Sequence, residues 1–151
     1  MANRVAAKKA FQSVENVLGG KDVLGVKPQS SVAWVGMIRA GIPAAAVESV
    51  LSTMHVSQTE LAQALGIPER TLARRKREGV LNSEESSKLL RLARVVSRAS
   101  EVFDDPAAAV DWLKSPNAAL RANAPLSLLD TDIGAESVLD TLGRIEHGVF
   151  A

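Results

Sequence analysis

Three arginines, Arg70, Arg74 and Arg77, follow one another at intervals of four and three residues. This spacing places their guanidinium groups on one face of an α-helix, because residues three and four positions apart are neighbours on a helix surface. Guanidinium groups bind phosphate oxygens and guanine edges, as in a recognition helix lying in the major groove of DNA. Glu69 and Ala73 fall on the same outer face. The stretch therefore predicts a DNA-binding surface made of Glu69, Arg70, Ala73, Arg74 and Arg77.

The surrounding sequence predicts the two helices and the turn of a helix-turn-helix over residues 57–78. Its expected inward side chains are Leu61, Ala62, Leu65 and Leu72. Ser57 and Glu60 form a capping-box pattern, in which each side chain bonds the other's backbone N–H at the start of the first helix. Gly66 follows where a left-handed residue ends that helix, and Pro68 suits the first turn of the next. Local chemistry therefore specifies the turn that positions the arginines.

A simple helical hairpin is the alternative, since exposed basic residues on a helix are usually only solvated. One position also departs from the DNA-binding pattern, because Arg75 stands where helix-turn-helix domains usually have a branched apolar residue. Either the stem of Arg75 lies along the edge of the core, or the second helix packs differently. The environment of Arg75 decides between these arrangements.

The composition favours an all-α protein, and the sequence lacks the motifs of common catalytic and metal sites. The 151 residues include no Tyr, three Phe and two Trp, and they contain few runs of alternating β-branched residues. The sequence has no cysteine, which removes disulfides, thiolate metal sites and cysteine nucleophiles from consideration. The two histidines, His55 and His147, have no partner at a metal-binding helical spacing, and neither GxxxxGK[ST] nor GxGxxG occurs. We therefore expect no catalytic residue, no metal and no cofactor, and an enzyme is the disfavoured class.

The net charge of +1 conceals a strong polarisation along the chain. Residues 1–68 carry 6 basic and 4 acidic groups, residues 69–98 carry 9 and 4, and residues 101–151 carry 3 and 9. A basic segment attracts the phosphate backbone, whereas an acidic one is repelled by DNA and suits a protein partner. The sequence thus predicts an N-terminal helical region over residues 1–82 and a small C-terminal domain over residues 83–151.

The N-terminal part of the chain gives weaker signals. Residues 3–18 predict an amphipathic helix and not a signal peptide, because charges interrupt the apolar positions, and we expect a cytoplasmic protein without a membrane span. Residues 21–30 are expected to form a loop. Residues 31–40 are expected to be helical or extended and to bury three large side chains, Trp34, Met37 and Ile38.

Later helices have clearer starting points. Pro43 predicts the start of a helix that runs to Met54, and Asn82 with Glu85 predicts a second capping box. The helix that begins at Asn82 should be about 20 residues long, near 30 Å. Because its apolar residues spread around more than one face, we expect it to lie centrally and to be available for a dimer interface.

Several short motifs follow one another in order between residues 43 and 151. They are RTLARR at 70–75, LLRLARV at 89–95, residues 99–103, AVDWL at 109–113, PN at 116–117, PL at 125–126, and an ending with Leu142, Arg144, Ile145, Gly148 and Val149. In this order and spacing they resemble the Xre/MbcA/ParS-type antitoxins, the partners of RES-domain toxins in bacterial type II toxin–antitoxin pairs. That family pattern carries paired arginines at the position of Arg75, which implies a structural role for this residue.

The resemblance implies a division of labour that agrees with the charge distribution. A Cro-like helix-turn-helix region binds operator DNA as a repressor, and a small helical C-terminal domain binds and neutralises an NAD-degrading or ADP-ribosylating RES-domain toxin. The resemblance also implies that the C-terminal segment lodges in the toxin's active-site cleft. That segment is Glu146, His147, Gly148, Val149, Phe150 and Ala151. A homodimer within a larger toxin–antitoxin complex is expected.

One stretch departs from the family pattern. The family usually has glycines before its Pro-Leu pair, whereas here residues 121–123 read Arg-Ala-Asn. We expect this loop either to adopt another conformation or to help set partner specificity. The alternative function is a stand-alone helix-turn-helix transcriptional regulator without a toxin partner, whose C-terminal region would be dispensable.

Overall fold

The computed structural model describes residues 13–148, and within this range it consists of helices without a β-strand. The N-terminal helices are α1 (Val14–Val17), α2 (Gly20–Leu24), α3 (Ser31–Ala40), α4 (Ala45–Met54), α5 (Gln58–Leu65) and α6 (Glu69–Glu78). They are followed by α7 (Ser83–Phe103), α8 (Pro106–Lys114), two 3-10 helices (Ala118–Leu120 and Pro125–Leu128) and α9 (Asp132–Glu146). The predicted all-α class is confirmed.

Helix α7 is the element around which the other helices pack. It contacts α1, α3 and α5 on the N-terminal side and α8 and α9 on the C-terminal side. Its fully buried apolar residues are Leu89, Leu92, Ala93, Val95, Val96 and Ala99. The predicted capping box starts it, because Asn82 Oδ1 accepts from the Glu85 N–H at 2.8 Å and Glu85 Oε1 accepts from the Asn82 N–H at 2.9 Å. The central position follows from the spread of apolar residues around this helix.

The loop predicted over residues 21–30 is wrong in its first part, because α2 continues to Leu24. Leu24 is buried in the core, and this tertiary contact stabilises a helix too short to persist alone. Gly19, with φ of +106°, separates α1 from α2, and a Cβ there would lie 2.4 Å from Cγ2 of Val23. Of the helix predicted over residues 3–18, residues 3–12 lie outside the described residues, and the remainder contains α1 (Val14–Val17).

Helix α3 lies at the edge of the core. The prediction that Trp34, Met37 and Ile38 lie in the core is wrong, because all three are only partly buried and no residue of α3 is fully buried. Trp34 and Met37 pack against the core from outside and stay partly exposed, while Val32 on the same helix is 79% exposed. A helix with apolar residues on all sides does not reveal from sequence alone which side faces the core.

The chain after α6 is fixed to the link between α3 and α4. The Leu81 N–H donates to the Ile42 carbonyl at 3.0 Å, and the Ala44 N–H donates to the Gly79 carbonyl at 3.0 Å. Gly41, with φ of +98°, lies so close to this crossing that a Cβ would be 2.4 Å from the Leu81 carbonyl oxygen. These contacts hold the C-terminal end of α6 against the body of the protein.

Candidate functional site

Helices α5 and α6 meet at the glycine turn that the sequence predicts. Ser57 Oγ accepts from the Glu60 N–H at 3.1 Å, and Glu60 Oε1 accepts from the Ser57 N–H at 3.2 Å, which completes the first capping box. Gly66 ends α5 in the left-handed conformation, with φ of +68°. Leu61, Leu65 and Leu72 are buried beneath the turn. The two helices therefore form one rigid unit whose outer surface is that of α6.

Polar contacts between α5 and α6 fix the rotation of the second helix. Thr59 Oγ1 donates to Glu69 Oε2 at 3.0 Å, and Lys76 Nζ donates to Gln58 Oε1 at 3.0 Å and forms an ion pair with Glu48. Glu69, predicted as a DNA-contacting residue, is thus engaged with α5, although it stays exposed. Sequence reasoning did not find the contact of Thr59 because its partner is ten residues away on another helix.

Arg75 joins the recognition helix to α7. Its Nε donates to Glu85 Oε1 at 2.7 Å, and its Nη1 donates to Glu78 Oε2 at 2.9 Å. The Arg75 side chain is 19% exposed, so its stem lies along the edge of the core, and the carboxylates of Glu78 and Glu85 pair with its charge. The hydrogen bonds to Glu85 and then Glu78 raise the pKa of Arg75 above its ordinary value. Where helix-turn-helix domains usually have an apolar residue, this chain therefore has an arginine that is hydrogen-bonded to Glu85. The same glutamate also forms the capping box of α7.

The remaining arginines of α6 form an exposed basic face. Arg70 and Arg77 make no ion pair with any residue between 13 and 148, so their charges are open to an anionic partner. Arg74 Nε lies 3.3 Å from Glu78 Oε1, which shares its carboxylate between Arg74 and Arg75. Ala73, predicted on the same face, is partly buried. The structure thus brings the predicted arginines to one surface, on which Arg70 and Arg77 are the arginines without a carboxylate partner among the described residues.

The C-terminal end of α9 is fixed to α7 by a bidentate ion pair. Arg98 Nη1 and Nη2 donate to Glu146 Oε2 and Oε1 at 2.9 and 2.7 Å. The hydrogen bond from Arg98 holds the pKa of the Glu146 carboxyl below its ordinary value of 4.5. His147 is 74% exposed, and Gly148 takes the left-handed conformation with φ of +69°. Of the predicted C-terminal binding segment, Val149, Phe150 and Ala151 lie outside the described residues.

Close packing also fixes the start of α9. Arg91 on α7 donates from Nε to the Leu129 carbonyl at 2.9 Å and from Nη1 to Asp132 Oδ1 at 2.8 Å. Gly134 approaches the preceding 3-10 helix so closely that a Cβ would lie 1.8 Å from the Leu128 carbonyl oxygen. Helix α9 is therefore held on α7 at both ends.

The loop that departs from the family pattern contains two non-glycine residues in the left-handed region. Arg121 has φ of +55° and Ala122 has φ of +65°. The loop is closed by hydrogen bonds from the Asn117 N–H to the Asn123 carbonyl at 3.1 Å and from the Ala122 N–H to the Asn117 carbonyl at 2.9 Å. Glycine adopts this backbone conformation without a Cβ penalty, whereas Arg121 and Ala122 are strained in it.

Comparison with known proteins identifies both halves of the chain. Residues 33–94 match the family model of the antitoxin Xre-like helix-turn-helix domain, and residues 98–148 match that of the antitoxin Xre/MbcA/ParS C-terminal toxin-binding domain. An antitoxin Xre from Yersinia enterocolitica is 34% identical over 130 residues, which cover 85% of this chain and 88% of that relative. The chain belongs to the Xre antitoxin family. The predicted resemblance is confirmed.

Two further relatives extend this result. An antitoxin Xre from Photorhabdus laumondii is 31% identical over 117 residues, covering 76% of this chain and 79% of the relative. A protein named Prs ADP-ribosylating antitoxin, from a Sphingobium species, is 30% identical over 132 residues, covering 81% and 83%. These three relatives are named as antitoxins, and the C-terminal domain of this Xre-family chain indicates a toxin as partner.

Between residues 13 and 148, no three His, Asp or Glu side chains gather where they could hold a metal ion. None of the helices described there is both long and apolar enough to span a membrane.

Proposed function

We propose that this Xre-family antitoxin neutralises a RES-domain toxin, one that degrades NAD or transfers ADP-ribose, by blocking its active site, and that it represses its own operon by binding operator DNA. The observation that carries the proposal is the match of residues 98–148 to a toxin-binding domain whose last helix is held on α7 at both ends. A toxin partner distinguishes this function from that of a stand-alone regulator.

The ion pair of Glu146 gives the C-terminal segment a fixed starting point. Because Arg98 holds the Glu146 carboxylate through two hydrogen bonds, the C-terminal end of α9 has a defined position on α7. A peptide presented from a rigid base loses less conformational entropy on binding than one joined to a flexible base. Glu146 therefore acts as an anchor for the segment, and residues 147–151 are proposed to occupy the toxin's cleft.

The basic face of α6 supports the DNA-binding part of the proposal. Arg70 and Arg77 are exposed without an ion pair among the described residues, and each can therefore bind a phosphate or a guanine edge without first leaving a carboxylate. The acidic residues of the chain are concentrated in residues 101–151, which keeps a separate surface for the toxin. In a homodimer, two copies of α6 would contact operator half-sites about 34 Å apart.

Deleting Val149–Ala151 tests the proposed mode of neutralisation. The shortened chain is expected to lose protection against the co-expressed toxin, because the residues entering the cleft are missing, while its thermal unfolding and operator binding stay as in the full chain. Arg70→Ala is the matched control, since it should weaken operator binding and leave protection intact. Full protection by the shortened chain would refute active-site blocking by the tail. Operator binding without any toxin binding by the full chain would instead favour the stand-alone regulator.

A further inference from the structure

Two of the three basic residues in the acidic C-terminal third lie at one cleft. Residues 101–151 contain Lys114, Arg121 and Arg144 as their only Lys and Arg residues, beside 9 acidic ones. Lys114 is already engaged, because its Nζ donates to the His55 carbonyl at 3.1 Å. Arg121 and Arg144 both line a cleft of about 340 Å³ between the 117–123 loop and α9. Neither forms an ion pair with another residue in the range 13–148.

The side chain of Arg121 has no evident role in the fold. It is exposed and makes no hydrogen bond to the described residues, yet its backbone is held in a left-handed conformation that glycine would adopt more easily. Strained backbone conformations cluster at functional sites. Because the Arg121 side chain is exposed and unbonded within the described residues, its charge is available to a partner.

We propose that Arg121 and Arg144 together bind an acidic side chain of the toxin and help to select the toxin that this antitoxin recognises. The inference rests on the proposed toxin binding by the C-terminal domain and names one site within it. Guanidinium groups bind a carboxylate through paired, charge-assisted hydrogen bonds, and two of them offset the one carboxylate, Asp140, that also lines the cleft. The cleft is thus a place where a further carboxylate is accepted.

The acidic surroundings make this site selective. Residues 101–151 have an excess of 6 acidic over basic groups, so a toxin carboxylate is repelled over most of this domain. It is attracted at the cleft where Arg121 and Arg144 lie. A toxin whose acidic residue faces Arg121 and Arg144 is therefore favoured. A toxin whose acidic residue faces another part of the domain is disfavoured, because its carboxylate meets acidic side chains.

Two glycine substitutions distinguish the effect of the Arg121 side chain on toxin binding from the effect of backbone strain on stability. Arg121→Gly and Ala122→Gly each relieve one left-handed residue, and each is expected to raise the melting temperature by about 3 °C. Ala122→Gly should bind the purified product of the neighbouring reading frame, the candidate toxin, with unchanged affinity. Arg121→Gly should bind it at least ~10-fold more weakly, because a charge-assisted contact is lost. Arg144→Ala should show the same weakening, and the double variant less than the product of the two.

The outcomes can be told apart. Unchanged toxin affinity for both arginine variants, with normal binding by the unmodified chain, would overturn the site and leave the proposed function intact. Weaker binding to operator DNA, without a change in toxin binding, would assign the arginines to phosphate and also overturn it. If the unmodified chain does not bind the candidate toxin at all, both the site and the proposed function fail.

Discussion

Replacing Arg70 or Arg77 by alanine is expected to weaken operator binding and to reduce its dependence on salt. Both side chains are exposed and unpaired among the described residues, so each can hold a phosphate in the complex. A protein that neutralises phosphates releases counterions, and each lost contact makes the slope of log K against log[salt] shallower by about 0.9. In a homodimer each substitution removes two guanidinium groups, so the slope should become shallower by about 1.8.

The structure ranks the arginines of α6. Arg74 shares Glu78 with Arg75, so part of its charge is already offset, and Arg74→Ala should change the slope less than Arg70→Ala does. Arg75→Ala should act differently, because this residue is hydrogen-bonded to Glu85 beside the start of α7. Arg75→Ala is expected to lower the melting temperature more than alanine substitution of Arg70, Arg74 or Arg77 does.

Fluorescence anisotropy with a labelled duplex from the promoter of its own operon measures these effects over a series of salt concentrations. Arg94→Ala is the matched control, since it removes one exposed arginine from α7, outside the recognition helix. If Arg70→Ala and Arg77→Ala change affinity and slope no more than Arg94→Ala, the basic face of α6 does not bind DNA. A drop in affinity that varies with base sequence but not with salt would place these residues on base edges instead.

Three further substitutions, one of them with a matched control, test the basic face of α6, the Arg98–Glu146 ion pair and the packing of α9. Glu78→Gln should strengthen operator binding and steepen its salt dependence, because it frees Arg74 and removes a negative charge from α6; unchanged anisotropy curves would contradict this. Arg98 lowers the pKa of Glu146, so the ion pair stabilises the fold at neutral pH and loses this contribution as the pH falls below 4.5. The melting temperature of Glu146→Gln should therefore fall less on acidification than that of the unmodified chain. Gly134→Ala should destabilise the fold by about 1–3 kcal/mol in urea unfolding, because its Cβ would meet the Leu128 carbonyl, whereas Gly143→Ala on the same helix has open space and should be neutral or stabilising.

Much of the fold is predictable because its signals are local. The capping boxes at Ser57 and Asn82 and the left-handed turn at Gly66 each depend on residues within four positions, and all three form as predicted. The central position of α7 follows from its own apolar pattern. Helix α2 was missed because its stability comes from the burial of Leu24 against distant residues, which no local pattern contains.

The candidate surfaces are predictable only in part. The arginine face follows from helical spacing, but the partition of its charges depends on Glu78, Glu85 and Thr59, whose contacts need the folded structure. The pair of Arg98 and Glu146 joins residues 48 positions apart, a distance over which charge spacing gives no information. The departure at residues 121–123 was visible in the sequence, whereas the left-handed conformation of Arg121 is a property of the closed loop.

Growth of cells that express the neighbouring reading frame, with and without this chain, tests the central claim most directly. We predict that the frame alone arrests growth, that the full chain restores it, and that the two proteins purify as one complex in which the toxin no longer consumes NAD or transfers ADP-ribose. Continued arrest in the presence of well-folded, operator-binding chain, with no complex recovered, would contradict the antitoxin function.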